Sequence, residues 1–439
     1  MRYLRRFAWY IGLYLKRYRF IIAASLVTFI LFTLLVRIIL PHIPKKTHTI
    51  YLGVVGSYSQ KNLPEIVARL VGSGLTKIGD NGLVLPNLAS KWEIDTTGKI
   101  FTFHLEPGLT WPKGESVVSK DIILNIPGVK VAYPNDDTIT FETPEIFSPF
   151  PAILSHPIFN AKGETLTGYT VLLTQSGSGQ LKNISLKSKN LNYLINVYNS
   201  NEQAITAFKL GSIDKLIDLT DNLTVKESRK VKIDKHTDYG QIVTLFFNTK
   251  DPTLSNKSIR QAIAYLLPDK SGGFPKAISP MRLDSWSYNS LVKTYDYSSE
   301  RGHVLINDFL PKDNRTLNLE LSTLPEYLKT ADLLKSQLEK EGVNISLKVV
   351  TSIPENYQLY LGLHDIPDDP DQYPYWHSTQ NTSLSKIEDP KLDKLLEDGR
   401  TTHDQKKRKQ IYLEFQKVLL EELPALFLYY PDQYEITRI

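Results

Sequence analysis

The feature that most constrains this chain is an uncharged, apolar run near its N-terminus. Phe20–Val36 contains no charged residue over 17 positions, and Arg37 follows it directly. A run of this length is near the lower limit for crossing a bilayer as a helix, and an arginine at its end can reach the headgroups. Six basic residues precede the run and three follow it, which places the N-terminus in the cytoplasm. We therefore predict a cytoplasmic segment at 1–19, a transmembrane anchor at 20–40 and a linker at 41–49, with the rest of the chain extracytoplasmic.

A cleaved signal peptide is the alternative to a single-pass anchor in the cell membrane. Cleavage requires small residues in a small-x-small pattern after the apolar run, and the sequence that follows here is RIILPHIPKKTHT. This segment has no such pattern, so we favour the anchor and keep cleavage as the second interpretation. The chain also contains no cysteine, which excludes disulfides, thiolate metal sites, a catalytic cysteine and lipid attachment through an N-terminal cysteine.

The net charge of +5 comes from the N-terminal segment. The first 46 residues contain nine Lys or Arg and no acidic residue, whereas the remaining residues contain 43 basic and 47 acidic side chains. Nucleic-acid binding requires basic residues concentrated on the folded body, and the body of this chain has a slight excess of acid. We therefore expect no nucleic-acid partner.

A strand, a polar break and a helix follow one another between residues 243 and 270. Val243, Leu245 and Phe247 stand at every second position, which is the spacing of a strand. The pattern breaks at Asp251-Pro252, and apolar residues then return with helical spacing over 259–266. This order suits a place where the chain passes from one lobe of a protein to another.

Three stretches, in this order along the chain, resemble one family. Residues 83–122 contain P-x-L-A-x-x-W, a predicted hairpin, F-x-L-x-x-G-x-x-W and a closing D-I. Residues 247–270 contain F-N-T and then I-R-Q-A-I-A-Y-x-x-x-x-K, and residues 361–400 contain a strand that ends in acids, then D-P, N and P-x-x-D. The matching positions outside the middle stretch are Pro86, Leu88, Ala89, Trp92, Phe103, Leu105, Gly108, Trp111, Gly114, Asp121, Gly362, Asp369, Pro370, Asn381, Pro390, Asp393 and Leu396. The pattern resembles the family 5 extracytoplasmic solute-binding proteins, which are the peptide- and oligopeptide-binding subunits of ABC importers.

The resemblance implies an α/β, periplasmic-binding-protein-like fold with two lobes (type II, cluster C-like) after the N-terminal transmembrane helix. We expect the first lobe at 50–245, the second at 246–424 and a return to the first at 425–439. In the family a long helical excursion follows the D-I motif, and here strand-like sequence follows almost at once. A sub-lobe at about 91–164 is therefore predicted to be trimmed.

The resemblance also implies a function. We expect a monomer, tethered to the membrane by its N-terminal helix, that captures peptides, and oligopeptides foremost, in the cleft between its lobes. It would deliver them to the permease subunits of an ABC importer. The trimmed sub-lobe leaves open an alternative, a degenerate scaffold that serves as a sensor or structural partner without transport. We expect no cofactor and no metal.

Most of the candidate binding residues lie at or after the end of a predicted strand, 357–363, whereas Tyr58 follows the first strand and Phe246 and Asn248 lie in the 243–270 stretch. The acidic loop that follows, 364–371, has three interpretations: a Ca²⁺ site, which would lack EF-hand spacing, a surface turn, or a carboxylate that anchors the α-ammonium group of a peptide. The resemblance favours the third, because dipeptide-binding members carry the amine-binding acid three residues before D-P-D. That position is Ile366 here, and Asp365 precedes it directly. The full candidate set is Asp365, Gly362, Leu363, His364, Asp368, Asp369, Tyr58, Phe246, Asn248 and Trp376.

No catalytic motif accompanies these residues. The sequence has no H-E-x-x-H, no glycine-rich loop followed by Lys-Ser/Thr, and no G-x-S-x-G around its serines. We therefore predict a binding protein and not an enzyme.

Overall fold

A computed structural model describes residues 2–39, 47–59, 63–72, 74–124, 126–160, 162–176, 179–220, 225–310 and 316–439. The chain forms two compact units, Met1–His48 and Thr49–Ile439. Part of the predicted linker, 41–46, lies outside the described residues.

The strands are, in chain order, β1 (His48–Val55), β2 (Thr76–Ile78), β3 (Val84–Pro86), β4 (Ala89–Ile94), β5 (Ile100–Leu105), β6 (Lys130–Asn135), β7 (Thr138–Glu142), β8 (Thr170–Gln175), β9 (Leu181–Lys187), β10 (Leu191–Tyr198), β11 (Lys215–Leu219), β12 (Val231–Thr237), β13 (Gln241–Phe247), β14 (Leu317–Thr323), β15 (Val343–Val349), β16 (Leu359–Asp365), β17 (Ala425–Tyr429) and β18 (Asp432–Arg438). The α-helices are α1 (Arg2–Ile39), α2 (Glu65–Val71), α3 (Phe150–Ile153), α4 (Asn201–Lys209), α5 (Lys257–Tyr265), α6 (Ser299–Phe309), α7 (Leu328–Lys340), α8 (Tyr373–Trp376), α9 (Pro390–Thr401) and α10 (Gln405–Glu422).

The N-terminal unit is a single helix, α1, with one non-helical residue at Tyr18. Its segment Arg17–Arg37 has a mean hydropathy of 2.4 and is not buried by the rest of the chain. By length and composition this segment can cross a membrane, and a signal sequence near an N-terminus has the same properties.

The first lobe is built on a seven-stranded sheet in the order β12-β18-β11-β1-β10-β9-β8. β1 and β11 are parallel, and the C-terminal strand β18 pairs antiparallel with both β11 and β12. The apolar residues Leu52 and Val54 of β1 pack with Val67 and Val71 of α2. The last strand of the chain therefore completes the sheet that the first strand began.

A small domain (residues 75–158) inserts between β1 and the rest of this sheet. Four of its strands form an antiparallel sheet in the order β4-β5-β7-β6, and β2 and β3 form a separate antiparallel pair. The β4–β5 turn contains Gly98 at φ +72, a conformation in which only glycine is unstrained. The core is aromatic, with Phe101, Phe103, Phe141 and Phe150 fully buried.

The second lobe (residues 241–429) is built on a five-stranded sheet in the order β15-β14-β16-β13-β17. One face packs on α5, α6 and α7, and the opposite face packs on α9 and α10, so the sheet has a core on each side. The predicted alternation of β13 is confirmed. Val243, Leu245 and Phe247 belong to the core on the side of α5, α6 and α7, whereas Phe246 belongs to the core on the side of α9 and α10.

The chain passes between the two large sheets at residues 238–240 and again at 430–431. The predicted division at 245/246 falls inside β13, which pairs with β16 from Gln241 onwards. β17, predicted as part of the return to the first lobe, pairs with β13 in the second sheet, and β18 alone makes the return. The short crossings, rather than whole strands, separate the lobes.

Candidate functional site

Among the strands that the structure describes, none pairs with the outer side of β16 after Leu361, and residues 362–365 are called the free edge below. β16 pairs with β13 along its whole length, from Leu359 to Asp365. On its other side, the last pair with β14 is Thr323–Leu361. The four residues from 362 to 365 therefore continue beyond β14, and their outer edge can pair with an added extended chain, as in β-augmentation.

Asp365 is the last residue of this edge, and its side chain is exposed. Gln241 Nε2 donates a hydrogen bond of 2.7 Å to Asp365 Oδ1, which fixes the carboxylate at the joint between the lobes. The next residue, Ile366, is buried in the core of the second lobe at 9% exposure. Because side chains alternate along a strand, Asp365 rather than Ile366 carries its side chain away from that core.

Two further carboxylates and a phenol lie near the joint with Asp365: Tyr58 and Asp218 belong to the first lobe, and Asp238 lies in the crossing at 238–240. Tyr58, after β1, donates to the carbonyl oxygen of Val55 at 3.2 Å and to Asp218 Oδ2 at 3.4 Å. Burial, and then the charge of Asp218, raise the pKa of Tyr58, and Asp238 and Asp365 add to the effect. Burial, with smaller contributions from Glu65 and Asp365, also raises the pKa of Asp238. The carboxylates of both lobes thus lie within electrostatic reach of Tyr58.

Asp218 occupies an uncommon backbone conformation. Its φ of +61 lies in the left-handed region, where a residue with a side chain is strained. The residue lies where the β11–β18 pairing shifts, between Leu216 and Leu219. Burial, followed by the charge of Glu65, raises its pKa to about 6. Sequence reasoning did not select Asp218 or Asp238; the one available signal was an acid inside the apolar strand KLIDL.

Replacing Asp218 with asparagine is expected to stabilise the protein at neutral pH. A carboxyl whose pKa rises from 3.8 to about 6 on folding favours the folded state below pH 4 and loses that contribution as the pH rises to about 6. Above that range the charged form costs the wild type up to roughly 3 kcal/mol, which Asp218→Asn removes. Urea unfolding of residues 47–439 at pH 4 and pH 7.5 should show a gain at the higher pH only. An equal or lower stability at pH 7.5 would contradict this electrostatic assignment.

Three of the sequence-predicted residues lie inside the core of the second lobe. Phe246 stacks near Tyr360 and Trp376, with ring centroids 6.2 and 6.3 Å apart. Trp376 is 1% exposed and donates from Nε1 to Gln372 Oε1 at 3.0 Å. His364 lies among Tyr375, Trp376 and Phe427, and burial lowers its pKa to about 3, so its ring is neutral at physiological pH. These side chains pack in the core of the second lobe and not at the free edge of β16.

Three further predicted residues have partners within the protein. Asn248 donates to the carbonyl oxygen of Tyr357 at 2.7 Å and accepts from the backbone N–H of Lys250. The carboxylate of Asp368 lies 3.6 Å from Arg282 Nη1 and is exposed. The carboxylate of Asp369 forms a two-pronged pair with Arg408 at 2.5 and 2.7 Å.

Gly362 and Leu363 stand within the free edge itself. Leu363 is half-buried against the core that contains α7. Gly362 has no room for a side chain, since an added Cβ would lie 2.6 Å from a ring carbon of Tyr360. That ring is itself fully buried.

Replacing Gly362 with alanine is expected to destabilise the second lobe by about 1–3 kcal/mol, which is the usual cost of overpacking a core. The Tyr360 ring that blocks the new methyl group packs against Phe246 and Tyr357 and has no open direction in which to move. Urea unfolding at pH 7.5 measures the change. Wild-type stability in Gly362→Ala would show that Tyr360 can rotate away, and would contradict the packing account.

The fold and the comparisons together define the class of protein. The structure has two large α/β lobes joined by two crossings, and a backbone edge and carboxylates lie where the lobes meet. A family model, "Bacterial extracellular solute-binding proteins, family 5 Middle", matches residues 84–384. The chain belongs to this family of solute-binding proteins of ABC importers and, as the sequence predicted, is not an enzyme.

Individual relatives agree in class. The "Probable D,D-dipeptide-binding periplasmic protein DdpA" of Escherichia coli is 22% identical over 417 residues, 80% of each chain. Among solved structures, NikZ from Campylobacter jejuni, in complex with Ni(L-His), aligns with a TM-score of 0.71 and 21% identity over 90% of this chain and 94% of its own. AppA from Bacillus subtilis, in complex with a nonapeptide, aligns with a TM-score of 0.67 and 17% identity over 90% and 95%. These structural matches confirm the predicted two-lobed fold.

Proposed function

We propose that this protein captures peptides with a free α-ammonium group in the cleft between its lobes. The observation that carries the proposal is the free edge of β16, which ends in the exposed carboxylate of Asp365. An extended peptide can pair its backbone with this edge and place its ammonium group at Asp365. A charge-assisted hydrogen bond to that carboxylate is stronger than a neutral one, and more so in a closed cleft with little water.

The carboxylates of the first lobe favour the same ligand charge. Asp218 lies in the first lobe and Asp238 lies in the crossing itself, and the charges of these two acids and of Asp365 all raise the pKa of Tyr58. A cation between them lowers the repulsion among the carboxylates, whereas an anion raises it. A raised pKa means that the charged carboxylate of Asp218 lacks a stabilising positive partner, and the ammonium group of a ligand would supply one.

Delivery to an ABC permease and tethering by α1 complete the proposal. Family membership supports an importer as the destination, and the apolar segment Arg17–Arg37 supports an anchor. A monomer suits this role, because the cleft is formed within one chain. The NikZ complex is the reason to test a metal chelate beside peptides.

A thermal melting experiment tests the proposal. Residues 47–439, purified and freed of bound ligand, should melt at a higher temperature with a peptide pool, because a ligand that binds only the folded state stabilises it. Mass spectrometry of the co-purifying molecules should then identify peptides. No shift with peptide pools, together with a shift for Ni(L-His), would redirect the assignment to a chelate. No shift with either would favour the degenerate scaffold that acts as a sensor or structural partner.

A further inference from the structure

A cavity lies between the small domain and the second lobe, and residues 362–365 of the free edge are not part of its lining. Its volume is about 560 Å³, which is within the usual range for sites that hold small organic molecules. One wall comes from 126–153 of the small domain, and the other comes from α8 and α9. Asp365 and Tyr58 are not part of its lining.

The walls of this cavity are mostly apolar. The small domain contributes Phe147, Phe150 and Ile153, and the second lobe contributes Tyr373. Phe150 is part of the buried aromatic core, so that wall is held rigidly. Such a surface binds an apolar or aromatic body of a ligand.

The charged groups in the lining leave an excess of negative charge. They are Glu145, Glu397 and Arg400. Arg400 is paired with Asp371, with Nε and Nη2 each 2.9 Å from Oδ2, and its guanidinium lies over the Tyr373 ring at 3.9 Å. Its charge is therefore already neutralised. Neither glutamate has a Lys or Arg partner among the residues that the structure describes.

Glu397, whose side chain is half exposed, lies beside a buried histidine. His377 is 4% exposed and stacks on Tyr373 with ring centroids 4.0 Å apart. Its Nδ1 accepts from the backbone N–H of Thr379 at 3.2 Å and lies 2.9 Å from the Thr379 hydroxyl. That Nε2 has no hydrogen-bond partner within the described structure and lies 3.5 Å from Glu397 Oε1.

We propose that this cavity is a second ligand site, for a hydrophobic amine: an ammonium group carried on an aromatic or branched aliphatic body. The ammonium group pairs with Glu397 and Glu145, and the body fills the space beside Phe147 and Ile153. This charge complementarity excludes acids of the same shape, because the carboxylates repel them. The proposal is independent of the peptide cleft.

An occupant of this site joins the small domain to the second lobe. The two already touch beside the cavity: the backbone N–H of Ser148 donates to the carbonyl oxygen of Arg400 at 2.7 Å. His403 lies 3.0 Å from the carbonyl oxygen of Gly98 and 3.2 Å from the hydroxyl of Ser148. A ligand that contacts both walls adds to these contacts, so it favours the arrangement in which the two domains are together.

Titration with three probes of one size tests the site. Phenethylamine, 2-phenylethanol and phenylacetate are titrated into residues 47–439 by calorimetry and by NMR of the ligand. We expect phenethylamine to bind at least about tenfold more tightly than the alcohol, with no binding of the acid. Glu397→Gln should weaken the amine by on the order of tenfold, and Glu339→Gln, an exposed acid of α7, should leave it unchanged.

Several outcomes would overturn the proposal. These are equal binding of the amine and the alcohol, binding that survives Glu145→Gln combined with Glu397→Gln, or no binding of the amine at millimolar concentration. Asp365→Asn separates the two sites: phenethylamine binding that is lost in Asp365→Asn would assign the amine to the peptide cleft and contradict a second site. Unchanged phenethylamine binding in that variant supports it, whatever the outcome for peptides.

Discussion

Replacing Arg408 with methionine is expected to lower the free energy of unfolding by roughly 3–5 kcal/mol, because it leaves a buried carboxylate without its partner. Arg408 is 6% exposed. Besides its two-pronged pair with Asp369, its Nε donates to the carbonyl oxygen of Gly399 at 2.7 Å. One side chain therefore ties the loop after β16 to the end of α9 and to α10. Urea unfolding of residues 47–439 measures the loss.

Two controls separate the buried pair from charge in general. Removing both partners, in Asp369→Asn with Arg408→Met, should cost clearly less than the sum of the single changes, because neither charge is left unpaired. Lys391→Met breaks an exposed pair with Glu414 and should cost less than about 1 kcal/mol. If Arg408→Met lowered the free energy of unfolding by as little as Lys391→Met, water would have to reach Asp369, and the pair would not be buried.

Replacing Asp365 with asparagine is expected to weaken peptide binding by at least about 100-fold. Loss of one partner in a buried charge pair costs roughly 2–5 kcal/mol, and the peptide ammonium would be left without its carboxylate in the closed cleft. Asparagine keeps an oxygen that can accept from Gln241, so the local structure is retained. Calorimetric titration with a peptide identified by co-purification gives the affinity.

The matched control is Glu414→Gln, which removes one exposed carboxylate on α10. Glu414 is far from the β16 edge in sequence, and among the described ion pairs its partner is Lys391. Its peptide affinity should equal that of the wild type. A retained affinity in Asp365→Asn, with normal stability, would remove Asp365 as the anchor while leaving the solute-binding class intact.

The fold could be predicted from the sequence where periodicity and turn chemistry agree. β4 and β5 form the expected hairpin, and the helix after Asp251-Pro252 forms as α5, begun by Asn256, whose side chain accepts from the backbone N–H of Ser258. The lobe boundaries were less accurate because β13 and β17 have the same apolar pattern as strands of the first lobe. The sheet that a buried strand joins depends on which strands it pairs with, and the spacing of apolar residues in the sequence does not reveal those partners.

In the candidate site, too, the residues that a local sequence pattern indicates could be predicted and the others could not. Asp365 could be selected because it ends a strand beside D-P, a local pattern. Asp218 could not, because its left-handed conformation occurs at a pairing shift between β11 and β18, strands separated by more than 200 residues. Phe246, His364 and Trp376 are close to the site in sequence, yet each faces the core on the other side of the sheet. Which face a side chain takes depends on packing that the motif does not specify.

The most direct measurement compares a peptide with its N-acetylated form on the wild type and on Asp365→Asn by calorimetry. Acetylation removes the ammonium group and leaves the backbone that pairs with β16. We expect acetylation to weaken binding to the wild type by at least about 100-fold and to change binding to Asp365→Asn little, because the ammonium group that it removes has already lost its partner in that variant. Equal binding of the free and acetylated peptides by the wild type would contradict the central claim.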